Sequence, residues 1–372
     1  MKFRVDRDVL ADAVTWTART LPQRPAVPVL AGVRLCAENS TLVLSSFDYE
    51  TSARAVIEVS VEQTGEALVS GRLLADICKS LPAKPVDVTL DEQNVRIRCG
   101  SADFSLITMP LDDYPALPDV PQTVGTIDSA ELARAVAQVS LAASRDDTLP
   151  MLSTINCEFN GNTLTLLATD RYRLAQRDIP WQPASDEYQA GALVRSKMLS
   201  EMTKSLAGGG EARIALGEGQ LIGLEQGGRR MTSQVTEGDY PPVKRLFPEE
   251  TSTHAVVDRA AMQSALKRVS LVTDRNTAVR LTFEMGRLTL EAGRGEDARA
   301  REDLPAHLEG ETIQTAFNPH YLLDGLTALD TPYVRMAFTH SAKPAVMTGQ
   351  EEPAGAEQGD YRYLLMPIRY GI

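Results

Sequence analysis

The stretch that decides the fold is DRDVLADAVTWT at positions 6–17, because it returns as DSAELARAVAQV at 128–139 and as DRAAMQSALKRV at 258–269. Each copy opens on an aspartate: Asp6, Asp128 and Asp258. Apolar or small residues follow at helical spacing: Leu10, Ala13, Val14 and Thr17; Leu132, Ala135, Val136 and Val139; Met262, Ala265, Leu266 and Val269. The spacing predicts a helix with one buried stripe, and the aspartate predicts its N-cap. Downstream of each helix the period changes to two, in TLVL at 41–44, TLTL at 163–166 and RLTL at 287–290. Alternation of this kind predicts a strand with one buried face.

A second helix recurs as GRLLADICKSLP from Gly71, SKMLSEMTKSLA from Ser196 and PHYLLDGLTALD from Pro319. Its paired leucines are Leu74 and Leu81, Leu199 and Leu206, Leu322 and Leu329, and alternating segments follow at 86–90, 212–216 and 334–338. Equivalent positions lie 122 and 130 residues apart for the first helix, and 125 and 123 for the second. Periods this long mark repeated domains, since solenoid units run to about 20–50 residues. Proline-rich connectors, DDYPALPDVPQTVG at 112–125 and GDYPPVKRLFPEETS at 238–252, share an Asp-Tyr-Pro triplet at 113–115 and 239–241. Proline fixes φ and removes a donor, so these are stiff joints. The expectation is an α+β chain of three repeated domains, at 1–122, 126–248 and 252–372, each with two helices packed on antiparallel sheets.

The 372 residues are 43% hydrophobic and 24% charged, which excludes disordered and fibrous classes. There is no apolar leader in MKFRVDRDVL, and no run nears the roughly 18 apolar residues of a membrane span. A cytoplasmic, nucleoid-associated protein is expected. Cys36, Cys78, Cys99 and Cys157 lack metal-ligand spacing and read as small buried hydrophobes. The net charge of -12 argues, taken alone, against nucleic acid as a partner.

Several dispersed segments resemble the bacterial DNA sliding clamps, the beta subunits of DNA polymerase III, in their actinobacterial form. They are ARTLPQRPAVPVLAGV at 18–33, SFDYE at 46–50, RDDTLPML at 145–152, ATDRYRLA at 168–175, FNPHYLLDGL at 317–326 and YLLMPIR at 363–369. The resemblance covers the whole chain. It implies a head-to-tail homodimer closing into a ring around duplex DNA, with helices lining the hole. It implies a dimer interface between Phe104 and Leu106 of one copy and Ser270 and Leu271 of the next; Phe104 and Leu106 read equally well as core residues of their own domain.

The resemblance also implies a cleft that receives linear peptides from the DNA polymerase III alpha subunit, the clamp loader and repair proteins. The matching positions are Leu152, Thr169, Tyr172, Arg173, Leu174, Pro241, Leu246, Leu364 and Met366 for a deeper pocket, with Arg171 at its rim. Asn318, Tyr321, Pro344, Pro367, Ile368 and Arg369 match a shallower groove, with Arg173 and Asn318 expected to orient the peptide. Arg171 and Tyr172 stand where a small residue and a histidine are common in the family.

The charge is unevenly spread. The six helical segments together carry +3, which leaves -15 on the rest of the chain. A mildly basic lining inside an acidic shell suits non-specific contact with phosphates. The buried stripes leave Arg134, Lys267 and Arg268 on open helix faces, and Arg72, Lys79, Lys197 and Lys204 join them as DNA candidates. Arg24 matches a basic loop residue of the family. Any one of these also reads as an ordinary solvated charge.

Nothing in the chain suggests bond chemistry. No GxxxxGK[ST] loop, HExxH or GxSxG occurs, and His254, His307, His320 and His340 are scattered. Asp146 with Asp147 reads as a helix-end decoration, and Asp170 with Arg173 as a turn pair. The expected function is a non-catalytic processivity clamp without cofactor or metal. A specialised second-copy clamp or peptide-binding scaffold, with altered partner or inhibitor preference, is the alternative, and a small-molecule hydrolase a distant third.

Overall fold

The computed structural model describes residues 1–206, 208–217, 220–273, 278–293 and 298–368. The six helices are α1 (Arg7–Thr17), α2 (Gly71–Ser80), α3 (Ser129–Ser140), α4 (Ser196–Leu206), α5 (Arg259–Val269) and α6 (Pro319–Ala328). All three aspartates cap as expected. Asp6 Oδ1 accepts from the Asp8 amide at 2.8 Å, Asp128 Oδ1 from the Glu131 amide at 2.8 Å and Asp258 Oδ1 from the Ala261 amide at 2.7 Å. Each bond satisfies a donor that the first helical turn leaves open, a contribution of about 1 kcal/mol. The stripe residues of all three first helices are buried, as are the six paired leucines of the second helices.

Every repeat has the same element order: a strand, a helix, a run of strands, the second helix and three closing strands. The run after the first helix begins with hairpins whose turns the sequence sets. Asn39 and Ser40, at φ 48° and 62°, join Gly32–Glu38 to Thr41–Phe47, and two positive values are what a type I′ turn requires. Gly161, at φ 54°, serves the equivalent turn between Thr154–Asn160 and Thr163–Thr169.

By contact the chain divides into two compact units: residues 1–133 with 181–186 and 201–235, and residues 134–180 with 187–200 and 236–372. This grouping follows the sheets across the repeat boundaries. In the first unit, the third strand after α1 (Thr51–Glu58) pairs antiparallel with the last strand of the second repeat (Arg229–Gln234), from Ser233 opposite Thr51 to Arg229 opposite Ala55. A nine-stranded sheet results, and a separate five-stranded sheet ends on Ala102–Ile107. In the second unit the rule repeats: the third strand after α3 (Arg173–Pro180) pairs with the last strand of the third repeat (Glu357–Leu365), and a twelve-stranded sheet forms.

The connector tyrosines occupy equivalent places in the two units. The Tyr114 hydroxyl accepts from the Phe47 amide at 2.7 Å, and the Tyr240 hydroxyl accepts from the Thr169 amide at 3.0 Å. Phe47 and Thr169 are the last residues of matching strands. Burial pushes the Tyr114 phenol up to about 12 and raises that of Tyr240, so both stay neutral donors and acceptors.

Candidate binding sites

The described residues proposed for the cleft fall in the second unit, around the turn that links Thr163–Thr169 to Arg173–Pro180. Asp170 organises this turn, its Oδ1 accepting from the amides of Tyr172 at 3.0 Å and Arg173 at 3.1 Å. The Thr169 hydroxyl donates to the Arg173 carbonyl at 2.7 Å. Arg171 sits at the tip with φ 81°, a conformation that costs a side-chain-bearing residue about 1–2 kcal/mol. Its side chain and that of Tyr172 are exposed.

Arg173 is different: it is 5% exposed. Its Nε donates to Asp170 Oδ2 at 2.9 Å and its Nη1 to Asp324 Oδ2 at 2.5 Å, while the guanidinium lies 4.3 Å from the centre of the Tyr321 ring. Burial works against its charge, but the Tyr363 hydroxyl and the Asp324 and Asp170 carboxylates more than offset that, and its pKa is raised. Tyr321 in turn stacks on Tyr172, with ring centres 6.2 Å apart at 26°.

The apolar tail is placed by strand pairing. Leu364 lies opposite Leu174 and Leu365 opposite Arg173; the Met366 amide then donates to the Tyr172 carbonyl at 2.9 Å, and the Ile368 amide to the Ala316 carbonyl at 2.8 Å. Beneath lies a buried cluster of Leu167, Leu174, Phe247, Ala337, Val346 and Leu364, with Tyr240 and Val243 packed against it. Around the cluster, Leu246 (50% exposed), Tyr172 (55%), Met366 (40%) and Ile368 (37%) present apolar surface to solvent. Large apolar side chains left exposed together mark an interaction site more often than chance.

Not every proposed cleft residue is free to meet a ligand. Leu174 and Leu364 are each 1% exposed and are the floor's core, and Thr169 is buried in its turn. Asn318 caps α6, its Oδ1 accepting from the His320 and Tyr321 amides at 2.9 and 3.3 Å. Arg173 is bonded to Asp170 and Asp324, so both residues expected to orient a peptide also hold the wall in place. Leu152, Pro241, Pro344 and Pro367 are half-buried, and Arg369 lies outside the described residues. Sequence reading missed Asp324 and Tyr363; spacing gives no signal for partners 151 and 190 residues away. Beside the turn lies a cavity of about 490 Å³ bounded by Ser144–Asp146, Arg171–Arg173, His320 and Tyr321 among others.

All eight candidate DNA contacts, Arg24, Arg72, Lys79, Arg134, Lys197, Lys204, Lys267 and Arg268, are exposed. Three of them also have partners within the chain. Arg72 donates to the Pro22 carbonyl at 3.0 Å, Arg134 stands 3.6 Å from Asp330, and Arg268 grips both oxygens of Glu302 at 3.0 and 2.5 Å. Side-chain bonding from Arg268 holds the Glu302 carboxyl below its ordinary value. Of the interface candidates, Leu271 is 84% exposed and Ser270 half-buried; Phe104 is half-buried, while Leu106, at 3%, belongs to its own domain's core.

Comparison with known families gives three successive matches: the N-terminal domain of the DNA polymerase III beta subunit over residues 1–118, its central domain over 126–242 and its C-terminal domain over 244–369. The chain belongs to the DNA polymerase III beta subunit family. The beta sliding clamp of Streptomyces coelicolor is 50% identical over 99% of both chains. The beta sliding clamp homolog GriR of Streptomyces muensis is 44% identical over the whole of both. A crystal structure of the Pseudomonas aeruginosa sliding clamp bound to griselimycin superposes with a TM-score of 0.92 at 28% identity, covering both chains fully.

As a sliding clamp the chain is a processivity factor of DNA replication and not an enzyme. Its suggestive side chains have structural work instead. Asp146 Oδ1 accepts from the amide and hydroxyl of Thr148 at 3.0 and 2.6 Å, and Asp170 with Arg173 is the turn pair described above. Cys78, Cys99 and Cys157 are buried and Cys36 half-buried; burial pushes the Cys78 and Cys157 thiols up to about 12, far from a reactive thiolate. Among the described residues no helix is long and apolar enough to cross a membrane.

Proposed function

We propose that two copies of this chain close head to tail into a ring around duplex DNA, in the cytoplasm at the nucleoid, and tether the polymerase and other factors through the cleft. The carrying observation is the pairing rule. Twice, the third strand after a repeat's first helix joins the last strand of the next repeat. The third repeat's equivalent strand is Ala300–Glu309, whose residues 300–306 pair with Gly286–Ala292 on one side and, among the described residues, have no strand on the other. The first repeat's last strand, Ala102–Ile107, likewise ends its sheet. Joining these two edges between copies completes the series, so that each boundary between successive domains is bridged by paired strands. Domains at 1–122, 126–248 and 252–372 are the units of this arrangement.

The cleft is proposed to take an extended peptide whose aliphatic and aromatic side chains bury against Leu246, Met366, Tyr172 and Ile368. The test of the ring is native mass together with loading on circular DNA: two chains per particle, retained on a closed circle and lost when the circle is cut. A monomer that binds linear and circular DNA alike overturns the reading. A specialised clamp copy is the second reading, favoured by the GriR relative and by Arg171 and Tyr172 at the cleft turn. Titration with griselimycin and with a polymerase-tail peptide separates the two, since a housekeeping clamp binds both and a specialised copy discriminates.

A further inference from the structure

Of the exposed apolar side chains around the cleft floor, Tyr172, Met366 and Ile368 are placed by backbone bonds: the first by the Asp170 turn, the others by their own amides. Leu246 is held otherwise. It ends a single turn of 3₁₀ helix, Val243–Leu246, inside the proline-rich connector. The backbone bonds there are local, the Val243 amide donating to the Pro241 carbonyl at 2.7 Å and the Phe247 amide to the Lys244 carbonyl at 3.2 Å. One such turn has poor bond geometry and little stability of its own, so side chains must fix where it lies.

Those side chains meet one face of the sheet. Asn156 lies opposite Leu167, Leu167 opposite Gln176 and Gln176 opposite Arg362, which sets the four on a single face across four strands. Phe247 is buried in the floor cluster with Leu167, and the Arg362 guanidinium covers its ring at 4.4 Å while donating to Gln176 Oε1 at 3.1 Å. Glu158, two residues beyond Asn156 and so on the same face, pairs with Lys244. Asn156 Nδ2 donates to Glu158 Oε1 at 2.9 Å, which leaves Oε2 for the lysine. Burial of Phe247 presses the connector onto the sheet without direction. The ion pair is directional, and it stands two residues from Leu246. Its side chains are 45% and 38% exposed, so it adds little to the stability of the fold, and its visible effect is to set the turn.

We propose, resting on the peptide-binding reading of the cleft, that Lys244 and Glu158 are its positioning residues: their pair holds the connector turn so that Leu246 stands ready for a peptide that neither of them touches. A ligand whose competent site is only partly populated binds more weakly by that fraction. An exposed ion pair can bias such a population about two- to fivefold. The test titrates the full chain with a polymerase-tail peptide by calorimetry. Glu158→Gln keeps the acceptor for Asn156 but turns the atom facing Lys244 into a donor. It should weaken the peptide about two- to fivefold and move the melting temperature by no more than about 2 °C. Exchanging the charges, Lys244→Glu with Glu158→Lys, should restore most of the lost affinity, which a direct contact of either residue with the peptide would not allow. With Leu246→Ala already in place, Glu158→Gln should change affinity no further, because the pair acts through Leu246. Unchanged affinity in Glu158→Gln, no recovery on exchange, or an equal loss without Leu246 overturns the positioning role and leaves the cleft standing. Absence of peptide binding to the unaltered chain overturns the cleft, and the positioning role with it.

Discussion

Arg171 shows how much one residue of the cleft turn costs. Its φ of 81° suits glycine, yet the chain puts a long cationic side chain there, exposed beside Tyr172. Strain kept at a binding surface points to use. Arg171→Gly is expected to stabilise the chain by up to about 1 kcal/mol, because relief of strain exceeds the added freedom of the unfolded chain, while peptide affinity changes. Thermal melting and peptide titration read the two effects separately, and a lower melting temperature would contradict the assignment of strain. Tyr172→Ala tests the opposite balance. Its ring is 55% exposed and stacks on Tyr321, so its loss should leave stability within about 0.5 kcal/mol and weaken peptide binding severalfold. Arg173→Met behaves differently again. Removing this guanidinium strands Asp170, which is 12% exposed, and should cost several kcal/mol of stability, seen as a lowered melting temperature, before any question of binding arises.

At the scale of elements, the helices were legible because capping and burial are local. Asp6, Asp128 and Asp258 sit where the sequence demands, and every stripe residue of the first helices is inside. Strand partners were not legible. Nothing within Thr51–Glu58 says that it pairs with Arg229–Gln234, since antiparallel bonding is made by the backbone and is blind to sequence distance. For the same reason the two contact-defined units cut across the three repeats. The site was half legible: apolar positions such as Leu246 and Met366 stand out, but the internal commitments of Arg173 and Asn318 depend on partners that spacing does not reveal. The proposed inter-copy edge offers a clean test here. Leu271 is 84% exposed in the single chain, so Leu271→Glu should barely alter its folding. If the residue is buried between copies, the substitution forfeits about 1.5–3 kcal/mol at each of the two joints of the ring and raises the dimer dissociation constant roughly a hundredfold or more, measured by sedimentation. An unchanged dimer would remove Leu271 from the interface.

At the scale of the molecule, the charge of -12 gains a different meaning once divided between a +3 set of helical segments and a -15 remainder. All eight basic candidates are exposed, but Arg72, Arg134 and Arg268 are also bonded within the chain, so Arg24, Lys79, Lys197, Lys204 and Lys267 are the readier contacts for phosphate. Five such contacts per copy make binding to a linear duplex weak and steeply dependent on salt: with the cations of one copy engaged at a time, affinity should fall roughly 500-fold between 50 and 200 mM monovalent salt, by counterion release at about 0.9 per phosphate. A closed ring on a closed circle obeys another rule, because dissociation then requires opening an interface between copies and the phosphate contacts only set how freely it slides. Retention on a circle, followed by gel filtration, should therefore change little over the same salt range and collapse when the circle is linearised. Lys197→Glu with Lys204→Glu should deepen the weakness on linear DNA and leave retention on circles nearly intact. Equal salt sensitivity on the two substrates would mean that the cations, and not topology, hold the protein to DNA.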